Sequence, residues 1–166
     1  MTDPAKSGRT ARSGARMAAV QALYQMELTG MGAEEAVFEF VEHRFGREPE
    51  TGMAGGIDEE FFGLIVRGVP EHQTEIDAGI TKVLSADWRL SRIDSILRAT
   101  LRAAAFELIA MRDVPGKVVI DEYVDVAHAF FTGDEPSFVN AALDKLARGK
   151  RAAEFGETPP DDELQF

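Results

Sequence analysis

Between residues 91 and 108 the chain reads SRIDSILRATLRAAAFEL, with Ile93, Ile96, Leu97, Thr100, Leu101, Ala104 and Leu108 recurring at three- and four-residue steps. That period belongs to one face of an α-helix and predicts a central helix around which the other elements pack. Ser91 with Asp94 three residues on has the form of a capping box for its first turn. Asp94, Arg98 and Arg102 follow at i, i+4 and i+8, where stacked opposite charges add only about a few tenths of a kcal/mol. Packing must therefore hold this helix.

The same period predicts helices on both sides of it. Ala15, Ala19, Ala22, Leu23 and Met26 line a first helix over 10–29, stopped by Gly30 and Gly32. Val37, Phe38, Val41 and Phe45 line a second over 33–45, and the glycine-rich stretch GREPETGMAGG at 46–56 is loop chemistry. Asp58 caps a long apolar-periodic stretch through Phe61, Phe62, Ile65, Val66, Val69, Ile76, Ile80 and Leu84. Pro70 interrupts it, and the missing amide predicts a kink or break near Gly68. Trp88, between this stretch and the central helix, reads as a core plug that fixes the angle between two helices. Val119, Ile120, Tyr123, Val124 and Ala127 predict a helix ending near Phe130. Pro136 then opens a last helix through Phe138, Val139, Ala142, Leu143 and Leu146 to Gly149. Strand alternation and hairpin signals are missing throughout, so the fold class is all-α.

Most enzyme chemistries lack an entry point. The chain has no cysteine, which excludes disulfides and thiolate metal sites and suits a reducing, cytoplasmic setting. Its apolar runs fall short of the roughly 18 residues of a membrane span. Phosphate-cradling and dinucleotide-binding glycine motifs are absent, as is a zinc-protease pair. His43, His72 and His128 sit on three predicted helices with no second histidine one turn away. No serine stands in a nucleophile elbow. Catalytic residues, metal ligands and cofactors are therefore not expected. Asp121, Glu122 and Asp125 cluster early in their helix, where acids favour the dipole and solvent. Glu107, amid apolar neighbours, calls for a structural partner such as an arginine or a backbone donor.

A net charge of −11 argues against nucleic-acid binding unless the charge is unevenly distributed. It is uneven. Residues 1–16 carry Lys6, Arg9, Arg12 and Arg16 against Asp3, whereas residues 154–166 carry five acids and no base. Arg9, Arg12 and Arg16 fall at i, i+3 and i+7, one side of a helix if the first helix extends back that far. Such a stripe either contacts phosphates and unpaired bases or is a solubilising terminus. Cations at a helix N-terminus oppose the dipole, a mismatch that hints at selection for something other than stability.

Particular blocks then become recognisable: Arg16 with A-A-V-Q-A-L-Y, Trp88 with Leu90, Arg92 and Ile93, L-R-A-A-A-F-E-L at 101–108, Pro115 with K-V-V-I-D-E, and F-V-N-A-A-L-D at 138–144. In order and separation they resemble the NusB family of transcription antitermination factors, over roughly residues 9–146. The resemblance implies a NusB-like bundle of two packed three-to-four-helix subdomains. On that basis a domain at 9–149 divides into about 9–86 and 87–149, between a disordered basic arm at 1–8 and a disordered acidic tail at 150–166. It also implies pairing with the ribosomal protein NusE, binding of boxA RNA, and read-through by an RNA polymerase antitermination complex, notably in ribosomal RNA operons. Homodimers that bury the RNA surface occur in such families.

Matched residue by residue, the resemblance assigns RNA contact to Arg9, Arg12, Arg16, Tyr24, Asp134, Phe138 and Asn140, with core packing the alternative for Phe138. It assigns partner contact to Tyr24 and to the region of Leu97, where the family commonly has an acid that Asp94 would have to replace. Two rivals stand beside this reading. One is the accessory domain of ribosomal RNA methyltransferases, whose enzyme part needs roughly a hundred or more further residues and a glycine-rich loop. The other is a helical adaptor that does not touch RNA.

Overall fold

The computed structural model describes residues 4–45, 56–85 and 88–156, with side chains from Thr10 onward. Among them are seven α-helices, two short 3-10 helices and no strand, as the all-α reading expects. None of these helices is long and apolar enough to cross a membrane. The chain divides into two compact units at Glu71/His72.

The first unit holds α1 (Pro4–Thr29), α2 (Ala33–His43) and α3 (Glu59–Glu71). α1 starts six residues before the expected onset, so residues 4–8 are helical and not a disordered arm. Pro4 suits a first turn, whose amides have no intrahelical acceptor to lose. The helix stops at Gly30, which takes the left-handed φ of 75° that favours glycine. α2 ends at His43, two residues earlier than expected, and most of the expected 46–56 loop lies outside the described residues. The core is Ala15, Ala19, Val20, Ala22, Val37, Phe40, Phe61, Phe62, Ile65 and Val66. Phe40 stacks on Phe62 with centroids 5.5 Å apart, and Phe45 meets Phe62 edge-on at 4.9 Å.

Outside this core Arg67 of α3 forks onto Glu34 of α2, with Nε and Nη2 donating at 2.6 and 3.3 Å. These hydrogen bonds hold the Glu34 carboxyl below the usual carboxylate range. Its small contribution is therefore present above the ordinary carboxylate value and lost as pH falls through the lowered one. An NMR titration should show the Glu34 midpoint returning to the ordinary range in Arg67→Ala; an unmoved midpoint counts against the pairing.

The unit boundary lies well before the expected position near residue 86. Pro70 forfeits only its own amide, so the preceding turn stays helical and α3 ends at Glu71. The break thus falls at His72, not near Gly68, and α4 (Gln73–Val83) belongs to the second unit with α5 (Ser95–Ala110), α6 (Gly116–Phe130) and α7 (Glu135–Lys150).

α5 packs against α4, α6 and α7, the central place its period predicts. It starts four residues later than expected because Asp94 alone is the N-cap, Oδ1 accepting from the Ile96 and Leu97 amides at 2.8 and 3.2 Å. Ser91 sits in a 3-10 turn, Leu90–Arg92. Nor do the arginines form a ladder. Arg98 turns back to donate to the Leu90 and Ile93 carbonyls at 3.0 and 2.8 Å. Arg102 forks onto Asp77 of α4 with two 2.9 Å bonds, a better partner than an exposed stacked charge.

Glu107 is fully buried and its carboxyl accepts from the Tyr123 hydroxyl, a structural partner of the kind its apolar surroundings call for. The expected disordered tail is also wrong for residues 150–156: α7 runs to Lys150 and a 3-10 turn follows over Ala152–Phe155. The cause is Arg151. Its buried guanidinium donates to the Glu107, Leu108, Met111 and Val114 carbonyls, which anchors the chain beyond α7. Residues 157–166 lie outside the described residues.

Candidate nucleic-acid interface

α1 carries the basic stripe, and its first described arginine is tethered. Asp58 caps α3 through its Oδ1, which accepts from the Phe61 amide at 3.0 Å, and ties that start to α1 in two ways: its amide donates to the Ala11 carbonyl at 3.1 Å, and its Oδ2 lies 3.7 Å from Arg12 Nε. Arg12 keeps 43% of its side chain exposed. Its guanidinium carbon sits 4.5 Å from the centre of the Phe61 ring, and that of Arg16 sits 4.9 Å from the same ring.

Arg16 is only 2% exposed. The expected row of three solvent-facing guanidiniums is therefore corrected: Arg16 is packed inside the first unit, where the ring and its aliphatic stem favour burial. The Arg9 side chain lies outside the described residues. Tyr24, further along α1, is half-buried.

In the second unit the predicted residues gather at the start of α7. Asp134 is the N-cap of that helix but makes no side-chain cap hydrogen bond, so its exposed carboxylate is not committed to the backbone. Phe138 is half-buried and Asn140 exposed. Phe138 is thus neither a core residue nor isolated, because Trp88 lies against it with ring centroids 5.2 Å apart at 44°.

Trp88 is 52% exposed, which overturns its reading as a core plug. The signal was in its neighbours: Ser85 and Ser91 occupy the i±3 positions and Arg89 and Arg92 flank it, a setting without the apolar company of a buried indole. Of the partner residues, Leu97 is 5% exposed and is removed from that role by burial. Asp94 stays exposed, with one carboxylate oxygen committed to the α5 cap.

Among the described residues no group of three or more histidines and acids is placed to hold a metal ion. His72 lies against the Phe106 ring at 5.8 Å and His43 against Phe38 at 6.2 Å. The first unit offers a guanidinium and the second an aromatic ring, an amide and a carboxylate, each a group that single-stranded nucleic acid uses for phosphate contact, stacking or base-edge hydrogen bonds.

Comparisons with known proteins agree on one family. The NusB family matches residues 13–148. The transcription antitermination protein NusB of Maricaulis maris is 49% identical over 152 residues, 92% of this chain and 95% of that one. Its counterpart in Caulobacter vibrioides is 53% identical over 140 residues, 84% and 94% of the two chains. Among solved structures, T. maritima NusB aligns with a TM-score of 0.69 at 26% identity, covering all of both chains. NusB from a crystal structure of antitermination factors NusB and NusE with double-stranded RNA aligns with a TM-score of 0.68 at 27% identity, over 82% of this chain and 95% of that one. Since the match spans most of the sequence and the relatives are near half identical along almost their whole length, the chain belongs to the NusB family.

Proposed function

We propose that this chain is a transcription antitermination factor. With a NusE-type ribosomal protein it binds a boxA-type single strand of nascent RNA in the cytoplasm and promotes read-through by RNA polymerase, notably in ribosomal RNA operons. The observation that carries the reading is the near 50% identity to antitermination proteins over almost the full length of both chains. The chain acts by binding and not by catalysis. Arg12, with Arg9, supplies phosphate attraction; Phe138 a ring for stacking; Asn140 and Asp134 an amide and a carboxylate for base edges. Tyr24 and Asp94 face the partner, and the acidic balance of the chain steers a basic ribosomal protein toward it.

The test is a titration of fluorescent boxA-type RNA, with and without NusE, at several salt concentrations. Two to four neutralised phosphates give a log–log salt slope near −1.4 to −2.8 for a single strand. Arg12→Ala should weaken binding and make that slope shallower by about 0.7, one phosphate's share. Arg16→Ala should leave the slope alone and lower the melting temperature, since that side chain is buried. An equal slope change in both variants overturns the division between them, and no binding with NusE present overturns the function.

A further inference from the structure

We infer that Trp88 is a base-stacking residue of the RNA site, seated on Phe138 and flanked by Arg89 and Arg92 as phosphate contacts. The inference rests on the RNA-binding reading above and extends it to a segment that reading does not use.

Four observations meet in this segment. Trp88 leaves half of its surface to solvent while one part of the ring meets Phe138 at 5.2 Å, so an aromatic surface is open for a further ring. Arg89 and Arg92 are both exposed, and the Arg92 amide donates to the Arg89 carbonyl at 2.9 Å. That bond closes a turn over residues 89–92, directly after the indole in the chain. The segment is held from beneath: buried Arg98 donates to the Leu90 and Ile93 carbonyls, and the Trp88 amide donates to the Ser85 carbonyl at 2.9 Å. A surface fixed before its ligand arrives loses less freedom on binding. Finally, Phe138 brings α7 to the indole, and Lys145, seven residues on and so on the same helix face, is exposed as well.

Cations interleaved with open rings distinguish a single-stranded nucleic acid from other occupants. Base–aromatic stacking tolerates any base, and arginines track the backbone beside it. In a chain with a net charge of −11, residues 88–93 carry Arg89 and Arg92 and no acid, a short positive stretch at the exposed tryptophan between Asp87 and Asp94. A protein partner seated on the indole is the competing occupant, and the test separates the two.

Trp88 is the only tryptophan, so its emission reports on this position alone once the partner's own signal is subtracted. The full chain with NusE is titrated with labelled boxA-type RNA, following anisotropy of the RNA and tryptophan emission together. Quenching should track the anisotropy. Trp88→Ala, with circular dichroism confirming its fold, should weaken RNA binding by about 5- to 150-fold, the range for losing one stacked base. Trp88→Phe should keep most of the affinity. Arg89→Ala and Arg92→Ala should each make the salt slope shallower by about 0.7. RNA binding with unchanged emission and a neutral Trp88→Ala overturns the inference and leaves the RNA-binding reading standing. An emission change on adding NusE and none on adding RNA also overturns it, assigning the indole to the protein partner. No RNA binding by the unaltered chain with NusE overturns the reading and the inference together.

Discussion

Arg151→Ala is expected to destabilise the second unit by about 3–5 kcal/mol, the cost typical of removing one partner from a buried charged network. The guanidinium donates from Nε to the Leu108 carbonyl at 3.0 Å and from Nη2 to the Glu107 and Met111 carbonyls at 2.8 and 2.9 Å. Nη1 donates to the Val114 carbonyl and reaches Glu154 at 3.3 Å. Glu154 in turn accepts from the Gly116 amide at 2.9 Å. One side chain thus covers the C-terminal carbonyls of α5, where the helix dipole is negative, and links them to the start of α6. Truncation takes a donor from each carbonyl: those of Glu107 and Met111 keep the Met111 and Val114 amides, while those of Leu108 and Val114 lose a buried charged donor, at about 1–3 kcal/mol each before relaxation. Against a total of about 5–15 kcal/mol for a domain, that loss is severe. Arg151→Lys should recover little, because an ammonium on a flexible stem cannot reproduce the planar fork. Urea unfolding followed by Trp88 emission measures both variants. Full recovery by lysine would show that positive charge alone suffices, and a midpoint unmoved in alanine would show that the network contributes nothing.

The helices were legible because burial of an apolar face leaves a period in the sequence. Asp58 and Pro136 marked their helix starts for local reasons, and Asp94 marked the start of α5 even though Ser91 stood nearer the expected boundary. What the period does not record is where a long cationic side chain goes. Arg16, Arg98 and Arg151 read as surface residues, yet each is buried. Arg16 meets the Phe61 ring of α3, and Arg151 meets carbonyls some forty residues earlier in the chain. These partners are set by tertiary packing alone, so Arg16 looked available to RNA and Arg151 looked like part of a tail. Trp88 failed in the opposite direction: large apolar residues are usually inside, and that expectation outweighed its polar flanks. The start of α7 was readable from Pro136, and the resemblance supplied the proposed roles of Asp134, Phe138 and Asn140 on it; that a different segment lays an indole against Phe138 leaves no such local signal.

Tyr123→Phe should cost about 1.5–3 kcal/mol, because it deprives the buried Glu107 carboxyl of a hydroxyl donor where water is not at hand to replace it. Both residues are fully buried, and their contact joins α5 to α6. A double-mutant cycle with Glu107→Leu isolates that contact, since whatever else Glu107 touches is lost equally in the presence and absence of the tyrosine hydroxyl. The double variant should be more stable than the two single losses added together, by a coupling of about 1–3 kcal/mol, because removing the carboxyl and the hydroxyl together leaves neither without the other. Simple additivity in urea unfolding would mean that the pair contributes no specific stability. The same glutamate also accepts from Arg151 through its backbone carbonyl. Tyr123→Phe and Arg151→Ala therefore loosen one helical turn from two sides, and their combination should depart from additivity where a variant in the first unit, such as Arg67→Ala, should not.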